Sequence, residues 1–393
     1  MQHKSSEIPR PYQAKLKSLQ EAMKKEGLGA LLFYSTGQLS MLEVNPVLWI
    51  SGALPMGKDT GVLITAAGDA AMVISLSWDL GRVRRQSWIE EIRVADRFVD
   101  AVQELARQKG IKEKIGIAGW GWMPAAIYRG LERALPGRVD AADAIFQSLA
   151  RHPGREALAA LARHPGREAL AALERAATIA DAGFAAILER AKIGMPEHEL
   201  AAEVEYAMRV QGAEDNFGMV TASDHSHCTH PPGNRKIQPG DTIIAEITPA
   251  IEGHFVQLCR TAVMGAVSPL LREKFDIMEE AMEKSLEQVR VGKKAGEIAR
   301  VMNQVFTAYG YEKYCRPPYM RVRGHGLGFL SMPFPEIVDE NESVIEEGMC
   351  FVVHPNQYLP ETGYLMLGDT VWVEANGPRR LTQTPMKLFS IDI

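Results

Sequence analysis

Residues 12–26 place Leu16, Leu19 and Met23 at three- and four-residue spacing and run into Gly27, which predicts an amphipathic helix stopped by glycine. The unbroken apolar run GALLFYS (29–35) then predicts a buried strand. Apolar stretches at 47–51, 61–65 and 71–75 predict further strands, with a helix starting over residues 80–86. Residues 115–118, followed by a helix over 123–135, complete a mixed β/α segment. That segment carries Trp49, Trp78, Trp88, Trp120 and Trp122 but no constellation of metal ligands or nucleophiles, so it reads as a structural and dimerising domain.

The chain next repeats itself without a difference: LARHPGREALAA at 149–160 is followed at once by LARHPGREALAA at 161–172. Architectures built from repeats use several diverged units of longer period, each completing a supersecondary element. Two identical short copies instead read as either a recent tandem duplication or an artefact in the sequence. Only the second copy runs into an amphipathic pattern, LERAATIADAGFAAILERA, so it is expected to start the helix while the first copy lengthens a connection. His152 and His164 lie in these copies and are expected to face solvent.

From about residue 176 the patterns give a long helix, a second over 196–211 with Pro196 at its N-terminus, a strand, and a hairpin. Two more helices (269–289 and 295–308) and a last group of strands follow. The hairpin is the most informative stretch: GDTIIAEITPAIEGHFVQLCRT (240–261) holds strand-like pieces at 242–247 and 254–262 around Pro249 and Gly253.

At 393 residues with 46% apolar and 24% charged, the chain is long enough for two domains and a sizeable core. Its formal net charge of -5 and lack of a dense Lys/Arg block argue against nucleic-acid and anionic-membrane partners and favour a small-molecule substrate. The four cysteines (Cys228, Cys259, Cys315, Cys350) form no CxxC pair, which fits a reducing, cytoplasmic setting. The N-terminus has no apolar signal region, and no run is long enough to span a membrane.

The hairpin spacing resembles the first metal-binding hairpin of the creatinase/aminopeptidase P superfamily, the pita-bread fold. The family pattern is Gly-Asp, apolar residues, Asp, Gly-aromatic, a second Asp and a closing Thr-Arg-Thr; here the two Asp positions are Glu246 and Gln257, and the triplet is Cys259-Arg260-Thr261. The family's GHGxG turn matches Gly324–Gly328, with His325 as its ligand position. Its HExP landmark is Met332-Pro333-Phe334-Pro335, without the His. Its EEGMxFxxEP becomes 346–355 with His354 in place of a ligand Glu, and its second bridging carboxylate is Gly368.

What the resemblance implies is an α/β (α+β) protein of two domains. These are a creatinase-like mixed β/α domain over 1–148 and a pita-bread catalytic domain over 173–393, joined by the duplicated stretch 149–172, in a chain expected to form a homodimer. Two cations held close together need bridging carboxylates. With Gln257 and Gly368 at the bridges, no cofactor is expected. The alternative is one divalent transition metal on Glu246, His325 and His354.

Creatinase and related hydrolases set the precedent of His acid/base chemistry without a full ligand set. The expected function is therefore hydrolysis of a C–N bond (amide, amidine, carbamate or lactam-like) in a small non-peptide molecule. His230, His325, His354 and Glu246 are the expected catalytic residues, and Arg323, Arg321, Cys259 and Gln257 the expected substrate contacts. Arg321 and Arg323 would receive a carboxylate, whereas Arg260 is expected to brace its strand. Cys259 raises a nucleophilic alternative. The rival readings are a metal-dependent Xaa-Pro peptidase, a lyase, decarboxylase or mononuclear-metal enzyme on the same fold, and a binding module without catalysis.

Overall fold

In the computed structural model, residues 8–37, 45–150, 166–328 and 336–393 are described. The chain divides into two compact units, Met1–Gly166 and Arg167–Ile393.

The first unit is built on a six-stranded mixed sheet of β1 (Leu28–Ser35), β2 (Thr60–Thr65), β3 (Ala70–Ile74), β4 (Glu91–Val94), β5 (Lys114–Ala118) and β6 (Val139–Ala141), in the order β4-β3-β2-β1-β5-β6. β1 is central and almost wholly buried, as its continuous apolar run requires. One face packs Leu32, Tyr34, Leu63, Val73 and Ile117 against Phe98, Val102 and Leu105 of the helix Phe98–Gln108. The helix Arg10–Glu26 ends at Gly27, whose φ of +68° is a left-handed cap that glycine adopts without strain. The expected strand at 47–51 is instead the helix Pro46–Ser51, because Asn45 caps it by accepting the Leu48 N–H and Pro46 presets its first turn.

The second unit contains a nine-stranded sheet whose main path is β11 (Gly324–Gly326), β12 (Cys350–Val353), β15 (Gly368–Glu374), β10 (Leu258–Met264), β8 (Thr242–Ile251) and β7 (Asp215–Ser223). β9 (His254–Phe255) pairs with β8, β16 (Gly377–Arg380) with β15, and β17 (Phe389–Ile391) with β10. β13 (Gln357–Leu359) and β14 (Gly363–Leu365) form a separate hairpin. The expected hairpin at 240–261 is present, turning through Glu252 and Gly253 at φ +50° and +71°.

The helices Pro269–Leu286 and Ala295–Ala308 bury Phe275, Met278, Met282, Met302 and Phe306 against Phe351 and Val371 of β12 and β15. The second copy of the duplicated stretch does enter a helix, Gly166–Arg190. Residues 151–165, with His152 and His164, lie outside the described residues.

Candidate active site

Side chains directly opposite one another on paired strands share a face. Met219 on β7 pairs with Glu246 on β8, Glu246 with Cys259 on β10, and Cys259 with Gly368 on β15, so these four positions form a row across the sheet. The row continues to His354, just past the end of β12. A Cβ placed on Gly368 would lie 2.6 Å from the Cβ of His354 and 3.2 Å from that of Cys259. His325 on β11 completes the group, its ring centroid 5.8 Å from that of His354. Residues more than a hundred positions apart in sequence thus meet through strand pairing.

Cys259 is the hub. Its thiol is fully buried and accepts from Gln257 Nε2 at 3.5 Å and from Asn356 Nδ2 at 3.8 Å. Burial, and then the neighbouring Glu246 carboxylate, push its pKa far up, so the group stays a thiol and not the thiolate a nucleophile needs. Burial also raises the Glu246 carboxyl, to about 7, and no described residue offers it a hydrogen bond. Burial, then His325, push His354 down to about 3, which keeps that imidazole neutral. His325 is lowered by burial too, and its Nδ1 pairs with the Gly326 carbonyl at 3.0 Å.

Two buried atoms of this group have no hydrogen-bond partner, Gln257 Oε1 and His354 Nδ1. Free valences of this kind are costly in a protein interior.

The remaining expected residues fall elsewhere. His230 is exposed, its Nδ1 on the Pro231 carbonyl at 2.8 Å, and it shares no hydrogen bond or ring contact with Glu246, His325 or His354. Arg321 is on the surface in an ion pair with Glu336 at 2.9 Å. Arg323 is buried and spends its donors on Asn303 Oδ1, the Asn356 carbonyl and Gln357 Oε1, which ties the backbone after His354 to the helix Ala295–Ala308. Arg260 braces its strand as expected, in a fully buried pair with Asp369 at 2.9 Å. Met332–Pro335 lie outside the described residues.

Asn356 and Tyr364 were not among the expected site residues. Asn356 donates to Cys259 and accepts the Leu367 N–H at 3.1 Å, and Tyr364 packs with Ile244, Cys259 and Met366. No motif pointed to either residue.

Residues 171–375 match the model of metallopeptidase family M24, and residues 15–149 match the creatinase/prolidase N-terminal domain. The chain belongs to metallopeptidase family M24. Within M24 it is 26% identical to an Xaa-Pro dipeptidase of Pyrococcus horikoshii, over 95% of this chain and 98% of that protein. It is 24% identical to a creatinase of a Bacillus species, over 93% of this chain and 89% of that protein. The fold matches the crystal structure of the Pyrococcus horikoshii prolidase with a TM-score of 0.81, at 24% identity over 95% of this chain and 99% of that one. An X-Pro aminopeptidase from Thermotoga maritima gives a TM-score of 0.82 at 21% identity, over 96% and 99% of the two chains.

Membership of M24 makes the chain a hydrolase on a two-domain pita-bread frame. Two expectations are corrected by these findings. Hydrolysis of a non-peptide C–N bond is overturned by relatives that are Xaa-Pro dipeptidases, including a second one from Pyrococcus furiosus that is 32% identical over 55% of this chain. The expected lack of a cofactor is overturned by membership of a metallopeptidase family, which indicates divalent cations. Both expectations weighed a few substituted positions above the frame that surrounds them.

A bridged pair of cations needs carboxylates at 257 and 368, where this chain has a neutral amide and no side chain, and His354 crowds the second position. Among the described residues, no three His, Cys, Asp or Glu side chains are arranged to hold a metal ion. The residues present therefore do not fit the family's cation pair.

No helix among the described residues is long and apolar enough to cross a membrane.

Proposed function

We propose that this M24 hydrolase acts on the amide bond of short peptides of the Xaa-Pro type. The observation that carries this reading is the resemblance to the Pyrococcus horikoshii Xaa-Pro dipeptidase over nearly the full length of both chains, N-terminal domain included. A recessed wall of neutral hydrogen-bonding groups, Gln257, Asn356, His325 and His354, suits a small amide better than a highly charged ligand. In this reading Glu246, His325 and His354 contact the substrate, while Arg323 and Asn356 position them. His230 is assigned only to the exposed loop that follows β7.

The test is release of free proline from Ala-Pro by the purified chain, with Mn2+, Co2+ or Zn2+ supplied in turn. Proline release that His325→Ala or His354→Ala reduces at least about tenfold supports the assignment. No release from any Xaa-Pro dipeptide under any of these cations overturns it.

A further inference from the structure

Tyr364 reaches the site from β14. Its ring packs with Ile244 and Cys259, and Cys259 faces Glu246 across β10 and β8, so the ring lies over the same face of the sheet as Glu246. The side chain is half-buried, and its hydroxyl has no hydrogen-bond partner among the described residues. Burial, then Glu246 and Cys259, push the phenol up and keep it protonated.

The strand around this ring is pinned at successive peptides. The Tyr364 N–H donates to the Ser226 carbonyl at 2.6 Å, Met366 both donates its N–H to and accepts from Thr261 Oγ1 at 2.9 Å, and the Leu367 N–H donates to Asn356 Oδ1 at 3.1 Å. Gly363, at φ +81°, permits the first of these contacts, since a Cβ there would stand 2.6 Å from the Ser226 carbonyl oxygen. A side chain held in this way needs no reorganisation when charge develops beside it.

Hydrolysis of an amide puts negative charge on the carbonyl oxygen, and that oxygen needs donors. The neighbouring side chains have few to give. Gln257 and Asn356 direct their amide nitrogens at the Cys259 sulfur, and Arg323 spends its guanidinium on Asn303, Asn356 and Gln357. His325 donates its Nδ1–H to the Gly326 carbonyl, which leaves Nε2 an acceptor in the neutral ring.

We propose that Tyr364 is a catalytic residue that donates its O–H to the scissile carbonyl oxygen as that oxygen becomes an oxyanion. The inference rests on the Xaa-Pro reading, which supplies the amide. Water adds to the carbonyl carbon, the C=O electron pair moves onto the oxygen held by Tyr364, and the phenol keeps its own proton. When the pair returns, the C–N bond breaks and the prolyl nitrogen takes the proton that the water gave to the Glu246 carboxylate.

The experiment compares the parent chain with Tyr364→Phe, which keeps the ring and removes the hydroxyl. With Ala-Pro, kcat should fall roughly 100-fold while KM stays within about twofold, the signature of a contact made only in the transition state. Titration calorimetry with the phosphinic analogue of Ala-Pro, whose tetrahedral phosphorus carries an anionic oxygen at the scissile position, should show at least roughly tenfold weaker binding to the variant. Meta-fluorotyrosine at position 364 should shift its fluorine resonance when the phosphinate binds, and this readout serves alone if Tyr364→Phe does not fold.

Unchanged kcat in a folded variant, or a fall in kcat with unchanged phosphinate affinity, overturns the role of Tyr364 and keeps the Xaa-Pro reading. Phosphinate binding that depends on the hydroxyl, without proline release from any dipeptide, keeps Tyr364 as the oxyanion donor and overturns the Xaa-Pro reading. Neither release nor phosphinate binding overturns both.

Discussion

His354 and Gly368 exclude one another's enlargement, for a Cβ at 368 would meet that of His354 at 2.6 Å and the Val353 carbonyl oxygen at 3.2 Å. β12 and β15 approach too closely there for any side chain at 368. Gly368→Glu, which nominally restores a bridging carboxylate, should therefore destabilise the chain by about 1–3 kcal/mol, the usual range for overpacking a tight site. It should also add no bound Mn2+. Chemical denaturation together with metal analysis checks both, and a stable variant that gains metal would contradict the crowding argument.

Glu246 sets a pH dependence. Burial raises its carboxyl from 4.5 to about 7, so the folded state favours the protonated form. Its contribution to stability is fully present below pH 4.5 and is lost as pH rises to about 7, because the folded state must then bury a charge that the unfolded state carries in water. Glu246→Gln should become progressively more stable than the parent across that window, with a constant gap above it. Urea unfolding from pH 4 to 8 in the presence of a chelator measures the gap, and a gap that does not change with pH would refute the assignment.

Arg260 and Asp369 form the best-buried ion pair of the second unit, both 0% exposed. Arg260 also donates to the carbonyls of Cys259, Gly368, Thr384 and Pro385. Asp369→Asn leaves the guanidinium without its countercharge and should cost about 3–5 kcal/mol, read as a drop in denaturation midpoint.

Glu197, at the start of the helix Glu197–Arg209, is fully buried and accepts the backbone N–H groups of Ala222 at 2.8 Å and Gly233 at 2.9 Å. It thereby fastens both ends of the loop that carries His225, His227 and His230. Glu197→Ala orphans two donors, at about 1–3 kcal/mol each. Amide hydrogen exchange at Ala222 and Gly233 should accelerate, while exchange in the first unit stays as it was.

Long periodic segments were legible in the sequence: the helix Ala295–Ala308, β1 and the hairpin at 240–261 lie where the patterns put them. The run at 47–51 was misread because four apolar residues and a serine carry no period that distinguishes strand from helix, and the deciding signals were Asn45 and Pro46 just before it. β4, β6 and the helices Phe98–Gln108 and Asp143–Ala150 went without expectation.

In the site, the neighbourhood of Glu246, Cys259, His325 and His354 could be expected from motif order, since that order reflects strand pairing. Asn356 and Tyr364 could not, because their contacts arise from register across the sheet, which spacing along the chain does not contain. The exposure of His230 was hidden for the same reason: a loop's composition does not say which way its side chains face.

The alternation of side chains along β10 and β15 has an evolutionary consequence. Cys259 and Gly368 lie in the row that joins Glu246 to His354, while their immediate neighbours Arg260 and Asp369 hold the two strands together. Change at Cys259 reaches its neighbour Glu246 directly, whereas change at Gly368 meets His354 and change at Arg260 or Asp369 breaks a buried ion pair. β10 and β15 therefore confine heritable change beside the site: Gly368 has no room for a side chain and Arg260 and Asp369 are bound to each other, which leaves Cys259 as the position of the four open to exchange.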